Sequence, residues 1–183
     1  MRAFRGVTWC FVASALLLTA CSSGGGGASA SHRLSVPGDP TQSAAVGLSN
    51  IAADTPWVVY VGNPCLISGP PIQPEGVRLV DPGGGLRIID WGIRNRYAGD
   101  PYGSGVGAAP GTVAAVPGFA HQAVTSMCSD PANTELDVTV ERTASAATAV
   151  SHGFRVTFQD GRKSGSFVTR LTLTMCATRC PAG

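Results

Sequence analysis

The sequence predicts an all-β fold, an antiparallel two-layer β-sandwich with long Gly/Pro-rich loops, for which an immunoglobulin-like arrangement is one candidate. Glycine and proline number 24 and 13 among the 183 residues, and both residue types interrupt helices. Apolar and polar residues alternate in the last third of the chain, and a period of two is typical of strands. Strands and helices do not alternate along the chain, so a parallel α/β sheet is not expected.

Residues 1–20 are predicted to be a secretory signal. The basic residues Arg2 and Arg5 precede an apolar run from Val7 to Ala20. A helix of that length spans about 21 Å at 1.5 Å per residue, which is short of the roughly 30 Å hydrocarbon core of a bilayer. The run therefore favours a cleaved signal over a permanent transmembrane helix.

The apolar run ends in Leu18-Thr19-Ala20-Cys21, and serines and glycines follow. This stretch resembles the lipobox of bacterial lipoproteins. The resemblance implies thioether lipidation of Cys21, cleavage before it and acylation of the new N-terminus. Two or more acyl chains give stable membrane anchoring, at the cell membrane or, since Ser22 and Ser23 carry no acidic retention signal, at the outer membrane. The alternative is an ordinary secreted protein in which a cysteine falls at this position by chance.

The mature chain is predicted to contain a tether and one domain. Residues 21–54 are rich in Gly, Ser, Ala and Pro and are expected to form a lipidated flexible tether. At most a weak helix is expected between Gln42 and Ala53, because Gly47 and other small residues disfavour it. Residues 55–183 are long enough for a single β-sandwich domain with its own core.

Short runs of β-branched and aromatic residues predict the strands of this domain. They lie at residues 56–62, 77–80, 86–94, 135–142, 153–159 and 166–176. Asp160-Gly161 predicts a hairpin between the last two runs. The nearly continuous apolar content of residues 86–94 predicts burial on both faces, and Trp57 and Trp91 are expected in the core.

Residues 95–118 are predicted to form one long Gly/Pro-rich loop. Structureless loops of this length are uncommon in compact domains and are often mobile or functional. Tyr97 and Tyr102 lie within it and are the candidate residues of a binding loop. After this loop, the spacing of Phe119, Ala123 and Met127 predicts one short helix.

Four cysteines are predicted to form two structural disulfides. Cys65, Cys128, Cys176 and Cys180 are an even number in a secreted chain, and three connectivities are open. Cys176 and Cys180 follow a strand and are separated by three residues, whereas thioredoxin-type redox chemistry uses two intervening residues at a helix N-terminus. They are therefore expected to join the last strand to earlier loops or to each other.

The acids Glu135, Asp137 and Glu141 alternate with apolar residues along one predicted strand. This period of two places them on a single face, which we interpret as a solvated face of the sheet. Paired carboxylates of glycosidases instead face each other across a cleft. No catalytic role is therefore predicted for the three acids.

Nucleic-acid binding, metal binding and catalysis are not predicted. Arg2 and Arg5 leave with the signal, after which basic and acidic side chains are equal in number, at eleven each, whereas nucleic-acid binding needs clustered cations. There is no Gly-x-Ser-x-Gly motif, and Ser104, His121 and Asp100 would have to meet within flexible sequence. His121 and His152 belong to no paired-histidine metal motif, and no cofactor is implied.

These observations predict a membrane-anchored envelope lipoprotein with a non-enzymatic binding or structural β domain. Its expected partners are the membrane, through Cys21, and an envelope protein or glycan. The alternative is a lipoprotein that carries or senses a small ligand or metal ion. A hydrolase or thiol-redox enzyme is the third candidate.

We predict that Cys21→Ser abolishes lipidation, because it removes the sulfur that forms the thioether. Intact-mass analysis of the wild type should find a chain that starts at residue 21 and carries hydrocarbon, and the variant should carry none. Cys10→Ser is the matched control, since that cysteine lies inside the signal. A wild-type protein with a free thiol at residue 21 would contradict the lipoprotein interpretation.

Overall fold

A computed structural model describes residues 33–36, 43–96, 107–130 and 134–181, and strands dominate all four ranges. The described residues contain no α-helix and a single 3₁₀ turn at Val113–Ala115. The prediction of an all-β, sandwich-like fold is therefore confirmed. Cys21, Tyr97 and Tyr102 lie outside the described residues. No helix within the described ranges has the length and apolar character needed to cross a bilayer.

The strands are numbered in chain order. They are β1 Leu34–Ser35, β2 Ala44–Leu48, β3 Trp57–Gly62, β4 Cys65–Leu66, β5 Pro74–Leu79, β6 Leu86–Asn95, β7 Ala108–Pro110, β8 Thr134–Arg142, β9 Thr148–Ser151, β10 Phe154–Asp160, β11 Lys163–Thr169 and β12 Leu171–Cys176. They pair into a four-stranded sheet in the order β6-β8-β3-β7, two three-stranded sheets in the orders β11-β10-β5 and β2-β12-β9, and the small pair β1-β4.

One hydrophobic core joins the larger sheets. Leu136 and Val138 of β8 belong to the same buried cluster as Phe154 and Phe158 of β10 and Leu173 of β12. All five side chains are at most 1% exposed. Burial of one such side chain contributes about 1.5–3 kcal/mol relative to its exposed state. The four-stranded sheet thus packs through one face against the two three-stranded sheets.

The C-terminal hairpin confirms the turn prediction. Asp160 pairs with Lys163 at the end of the β10–β11 ladder. Gly161 occupies the turn with a φ of 64°, a left-handed conformation that glycine adopts without steric cost. The predicted strand at 166–176 is divided at Arg170, because β11 pairs with β10 whereas β12 pairs with β9 and β2.

The prediction that residues 21–54 form a tether is wrong for two short segments. Strand β1 pairs with β4, and strand β2 runs parallel to β12, from Leu171 opposite Ala44 to Met175 opposite Leu48. This is the one parallel pair of strands in the described sheets, and it replaces the weak helix expected at 42–53. The sequence of β2 has little strand character of its own. Its backbone is ordered because the edge of β12 supplies the hydrogen-bond partners.

The helix predicted from Phe119 to Met127 is also absent. In its place an extended segment forms isolated bridges, in which Ala120 lies opposite Ile93, Val124 opposite Ile72 and Met127 opposite Leu66. The backbone N–H of Ala120 donates to the carbonyl of Ile93 at 3.1 Å, and that of Val124 donates to Ile72 at 2.9 Å. Pairing with three other segments therefore prevails over a weak apolar spacing.

The loops contain more regular structure than predicted. The 95–118 loop includes β7 and the 3₁₀ turn, and the 143–153 connection includes β9. Strand β6 has the predicted extent within one residue, but burial on both faces holds only for part of it. Gly92, Ile93 and Arg94 are buried, while Ile89 is 47% exposed.

The two disulfides join Cys65 to Cys128 and Cys176 to Cys180. The first closes a separation of 63 residues and the second a separation of four. Of the three connectivities that the sequence left open, the structure has the one in which the last two cysteines are joined to each other.

We predict that the two disulfides differ in their effect on stability. In the chain-entropy account a cross-link restricts the unfolded chain more as the enclosed loop lengthens, so Cys65→Ala/Cys128→Ala should lower the free energy of unfolding by about 4 kcal/mol. Cys176→Ala/Cys180→Ala is the control with a short loop and should lower it by about 2 kcal/mol. Urea unfolding of both double variants checks this, and equal losses would contradict the entropic explanation.

Candidate functional site

Strand β8 is buried along its whole length, so the predicted solvated face is wrong. Glu135, Asp137 and Glu141 are only 1%, 6% and 8% exposed. The period-two pattern did separate these acids from the apolar residues of the core. It gave no indication that the second face of the sheet, here called the outer face, is covered as well.

The outer face is covered by residues 111–119, which run between strand β7 at one edge of the sheet and the bridge of Ala120 to Ile93 at the other, and are here called the covering segment. The backbone N–H of Val113 donates to Oγ1 of Thr139 on β8 at 2.9 Å. Val113 is 2% exposed. A Cβ atom at Gly92 would lie 2.6 Å from Cγ1 of Val113 and 3.2 Å from Cβ of Phe119. Glycine at this position of β6 therefore permits the close approach of the covering segment.

Two of the three acids on the outer face have an arginine partner. Arg94 on β6 lies opposite Glu135 in the strand register, and its Nε donates to Oε2 of Glu135 at 3.2 Å. Both side chains are at most 7% exposed, and the guanidinium lies 5.0 Å from the centroid of the Phe119 ring. At the other end of the face, Arg87 donates to Glu141 at 2.6 Å. Two negative charges of the face are thus balanced by neighbouring cations.

Asp137 has no such partner. It lies opposite Gly92, which has no side chain, and opposite Tyr60 on β3. Its Oδ1 is buried and makes no hydrogen bond within the described structure. Burial raises the pKa of Asp137 to about 7, the negative charge of Glu135 adds to this increase, and Arg94 opposes it. A buried carboxylate without a donor is costly to the fold.

A pocket of about 280 Å³ opens beside Asp137. Its polar end is formed by Asp137, Glu135, Arg94 and Tyr60, and its apolar wall includes Val58, Pro110 and Phe119. The pKa of Tyr60 is raised by burial and by the charges of Glu135 and Asp137, whereas Arg96 lowers it. The pocket therefore combines an apolar wall with one buried acceptor that the protein leaves unsatisfied, a combination typical of small-ligand sites.

His121, Trp57 and Trp91, which the sequence also singled out, do not line the pocket. His121 is exposed, and its Nε2 lies 2.9 Å from Oδ1 of Asp90, while its ring stacks on Trp91 at 4.3 Å between centroids. Its carboxylate partner is thus Asp90, and Ser104 and Asp100 lie outside the described residues. Trp57 and Trp91 are half-buried and pack against the core. In the described part of the chain, no three His, Cys, Asp or Glu side chains are close enough to hold a metal ion.

The sequence did contain signals for this site. Arg87 and Arg94 are basic residues in a largely apolar strand, which suggests partners in a neighbouring strand. Gly92 in the interior of the same strand is a known mark of close backbone approach. Together these residues point to a covered, charged face, but only the structure identifies Asp137 as the acid without a partner.

Comparisons of this chain with models of protein families, with curated proteins and with solved structures found no match. Its chemistry is therefore argued from the pocket itself. A carboxylate with a pKa near neutrality can accept a hydrogen bond from a donor when ionised, or donate one when protonated. The apolar wall adds contact area for a ligand and presents no further polar group that needs a hydrogen-bond partner.

We predict that Asp137→Asn changes how stability depends on pH. The folded chain keeps the Asp137 proton up to a pH of about 7, whereas the unfolded chain releases it near 3.8. The folded state therefore binds more protons in this window, and ionisation of Asp137 should lower the free energy of unfolding as the pH rises from about 4 to about 7, by a few kcal/mol in order of magnitude.

The Asn variant lacks this titration, so its stability relative to the wild type should increase across the same window. Urea unfolding at pH 4, 6 and 8 measures the difference. Asp81→Asn, at an exposed position, is the matched control and should follow the wild type. A difference between Asp137→Asn and the wild type that does not change with pH would show that Asp137 titrates normally.

Proposed function

We propose that this protein is a lipid-anchored, extracytoplasmic binding protein of the cell envelope, whose pocket on the outer face takes a small ligand. The predicted secretory signal and the lipobox ending at Cys21 support the location. Four paired cysteines also fit an oxidising compartment. Tyr97 and Tyr102 precede the covering segment in the chain and are proposed contacts for an envelope protein or glycan.

The unsatisfied carboxylate of Asp137 is the observation that carries the ligand proposal. Proteins satisfy most buried polar groups internally or with water, so each exception calls for an explanation. The position of Asp137 at a pocket with an apolar wall supplies one, because a ligand that donates to this carboxylate would compensate for its burial. Strongly perturbed acids in clefts are recurrent features of functional sites.

Binding is better supported than catalysis. The described residues that line the pocket include no serine, cysteine, histidine or lysine, so a protein nucleophile is not at hand. The charge of Glu135 is already balanced by Arg94. A hydrolase in which Asp137 acts as general acid or base is the second candidate, and the pKa of Asp137 near 7 is the observation that favours it.

The place where the described fold begins shortens the proposed tether. Arg33 donates to the carbonyls of Ser68 and Pro70 at 2.8 and 3.0 Å and forms an ion pair with Asp160. In this proposal the tether between Cys21 and Arg33 consists of the eleven residues 22–32, and a flexible linker of that length reaches about 18 Å. This supports a domain that works close to the membrane surface.

The ligand proposal predicts that a bulky residue in the pocket prevents binding. Ala109 lines the pocket on β7, and Ala109→Trp should fill it, whereas Ala144→Trp at an exposed turn is the matched control. Each full-length protein is purified from its own envelope, and the small molecules that co-purify are identified by mass spectrometry. We expect the same ligand with the wild type and with Ala144→Trp, and none with Ala109→Trp.

Two results would contradict the proposal. The first is a wild-type protein that retains no small molecule, and the second is a ligand that Ala109→Trp retains as fully as the wild type. Circular dichroism of each variant establishes that the fold is intact.

A further inference from the structure

We propose that the ligand of this pocket carries a protonated amine on a small apolar body, and that the ammonium group binds the carboxylate of Asp137. The inference rests on the proposed function, because it names the chemical class of the ligand that the pocket takes. It follows from three features of the described residues, which are the charge balance around Asp137, its free acceptor atom and the apolar wall.

The charge balance favours a cation. The titratable and charged groups around Asp137 are Glu135 on its own strand, Arg94 on β6 and Tyr60 on β3, and the charge of Arg96 acts on Tyr60. The covering segment contributes only uncharged residues to the described wall. Arg94 forms an ion pair with Glu135, whereas no ion pair or hydrogen bond of Asp137 is seen among the described residues, so an ionised Asp137 is the uncompensated carboxylate of the pocket.

An anionic ligand fits this site poorly. A ligand carboxylate would approach two protein carboxylates, Asp137 and Glu135, and like charges at short range are unfavourable. Arg94 also lines the pocket, but its Nε and Nη2 donate to Glu135 and its guanidinium lies over the ring of Phe119. An ammonium group, in contrast, offers three donors and a positive charge to the unsatisfied Oδ1.

The remaining surface of the pocket limits the size and polarity of the ligand. Val58, Pro110 and Phe119 form an apolar wall. The volume of about 280 Å³ lies at the lower end of the roughly 300–1,000 Å³ that is usual for ligand pockets. A single ring or a short branched chain therefore suits the site.

Amine binding should depend on pH with a defined sign. An ammonium group pairs only with the ionised carboxylate, and Asp137 has a pKa of about 7. The ionised fraction increases about tenfold from pH 6 to pH 8, and the affinity should increase by about the same factor. Below pH 7, binding should release a proton.

Calorimetry with three probes of similar shape tests the inference. Benzylammonium, benzyl alcohol and benzoate are titrated into the full-length protein at pH 6 and pH 8. We expect benzylammonium to bind most tightly, with about tenfold higher affinity at pH 8. Asp137→Asn should weaken it by at least about 30-fold, because one partner of a buried charge pair is removed. Asp81→Asn is the control, because it removes one negative charge at an exposed position, and it should bind benzylammonium as the wild type does.

The other outcomes separate the two proposals. Tighter binding of benzyl alcohol or benzoate, with loss in Ala109→Trp, would overturn the amine class and leave the pocket as a binding site. A co-purified ligand without an amine would do the same. Absence of binding by all three probes, together with no co-purified ligand, would overturn both proposals. Affinity for benzylammonium that is unchanged between pH 6 and pH 8, or unchanged in Asp137→Asn, would show that Asp137 is not the recognition group.

Discussion

Coverage of the outer face of the four-stranded sheet is the constraint on which the candidate site depends. A sheet in a sandwich ordinarily has one face in the core and one in water. Here residues 111–119 lie across the second face, held by the hydrogen bond from Val113 to Thr139 and by the close approach at Gly92. Charged side chains that would otherwise be hydrated are thereby removed from water.

The fold responds to that removal in two ways. Glu135 and Glu141 are balanced by Arg94 and Arg87 from the neighbouring strand. Asp137 lies opposite Gly92 of β6 and has no cationic partner there, and its raised pKa favours the protonated, uncharged form. The residues of β6 that lie opposite the three acids are Arg87, Gly92 and Arg94. This order determines which two acids are paired with a cation and which acid lines the pocket.

The sequence predicted the elements that depend on local pattern and missed those that depend on distant contacts. The alternation in residues 135–142 and the turn at Asp160-Gly161 specify strand β8 and the last hairpin, because the period and the turn residue act within a few positions. Strand β2 was missed because its order comes from the edge of β12. The acid face was misinterpreted because a period of two separates faces without revealing what covers each of them. The disulfide connectivity was open for the same reason, since cysteine spacing does not determine spatial proximity.

The position of strand β1 has a mechanical consequence. Any tension on the chain before Arg33 enters the fold through β1, whose partner β4 contains Cys65. That cysteine is covalently joined to Cys128, so force is passed to a cross-linked part of the domain before it reaches β2 and β12. The side chain of Arg33, with its contacts to Ser68, Pro70 and Asp160, acts as a further clamp at the point of entry. Tension applied before residue 33 would therefore act first on the disulfide-linked strand pair β1–β4 and on the contacts of Arg33.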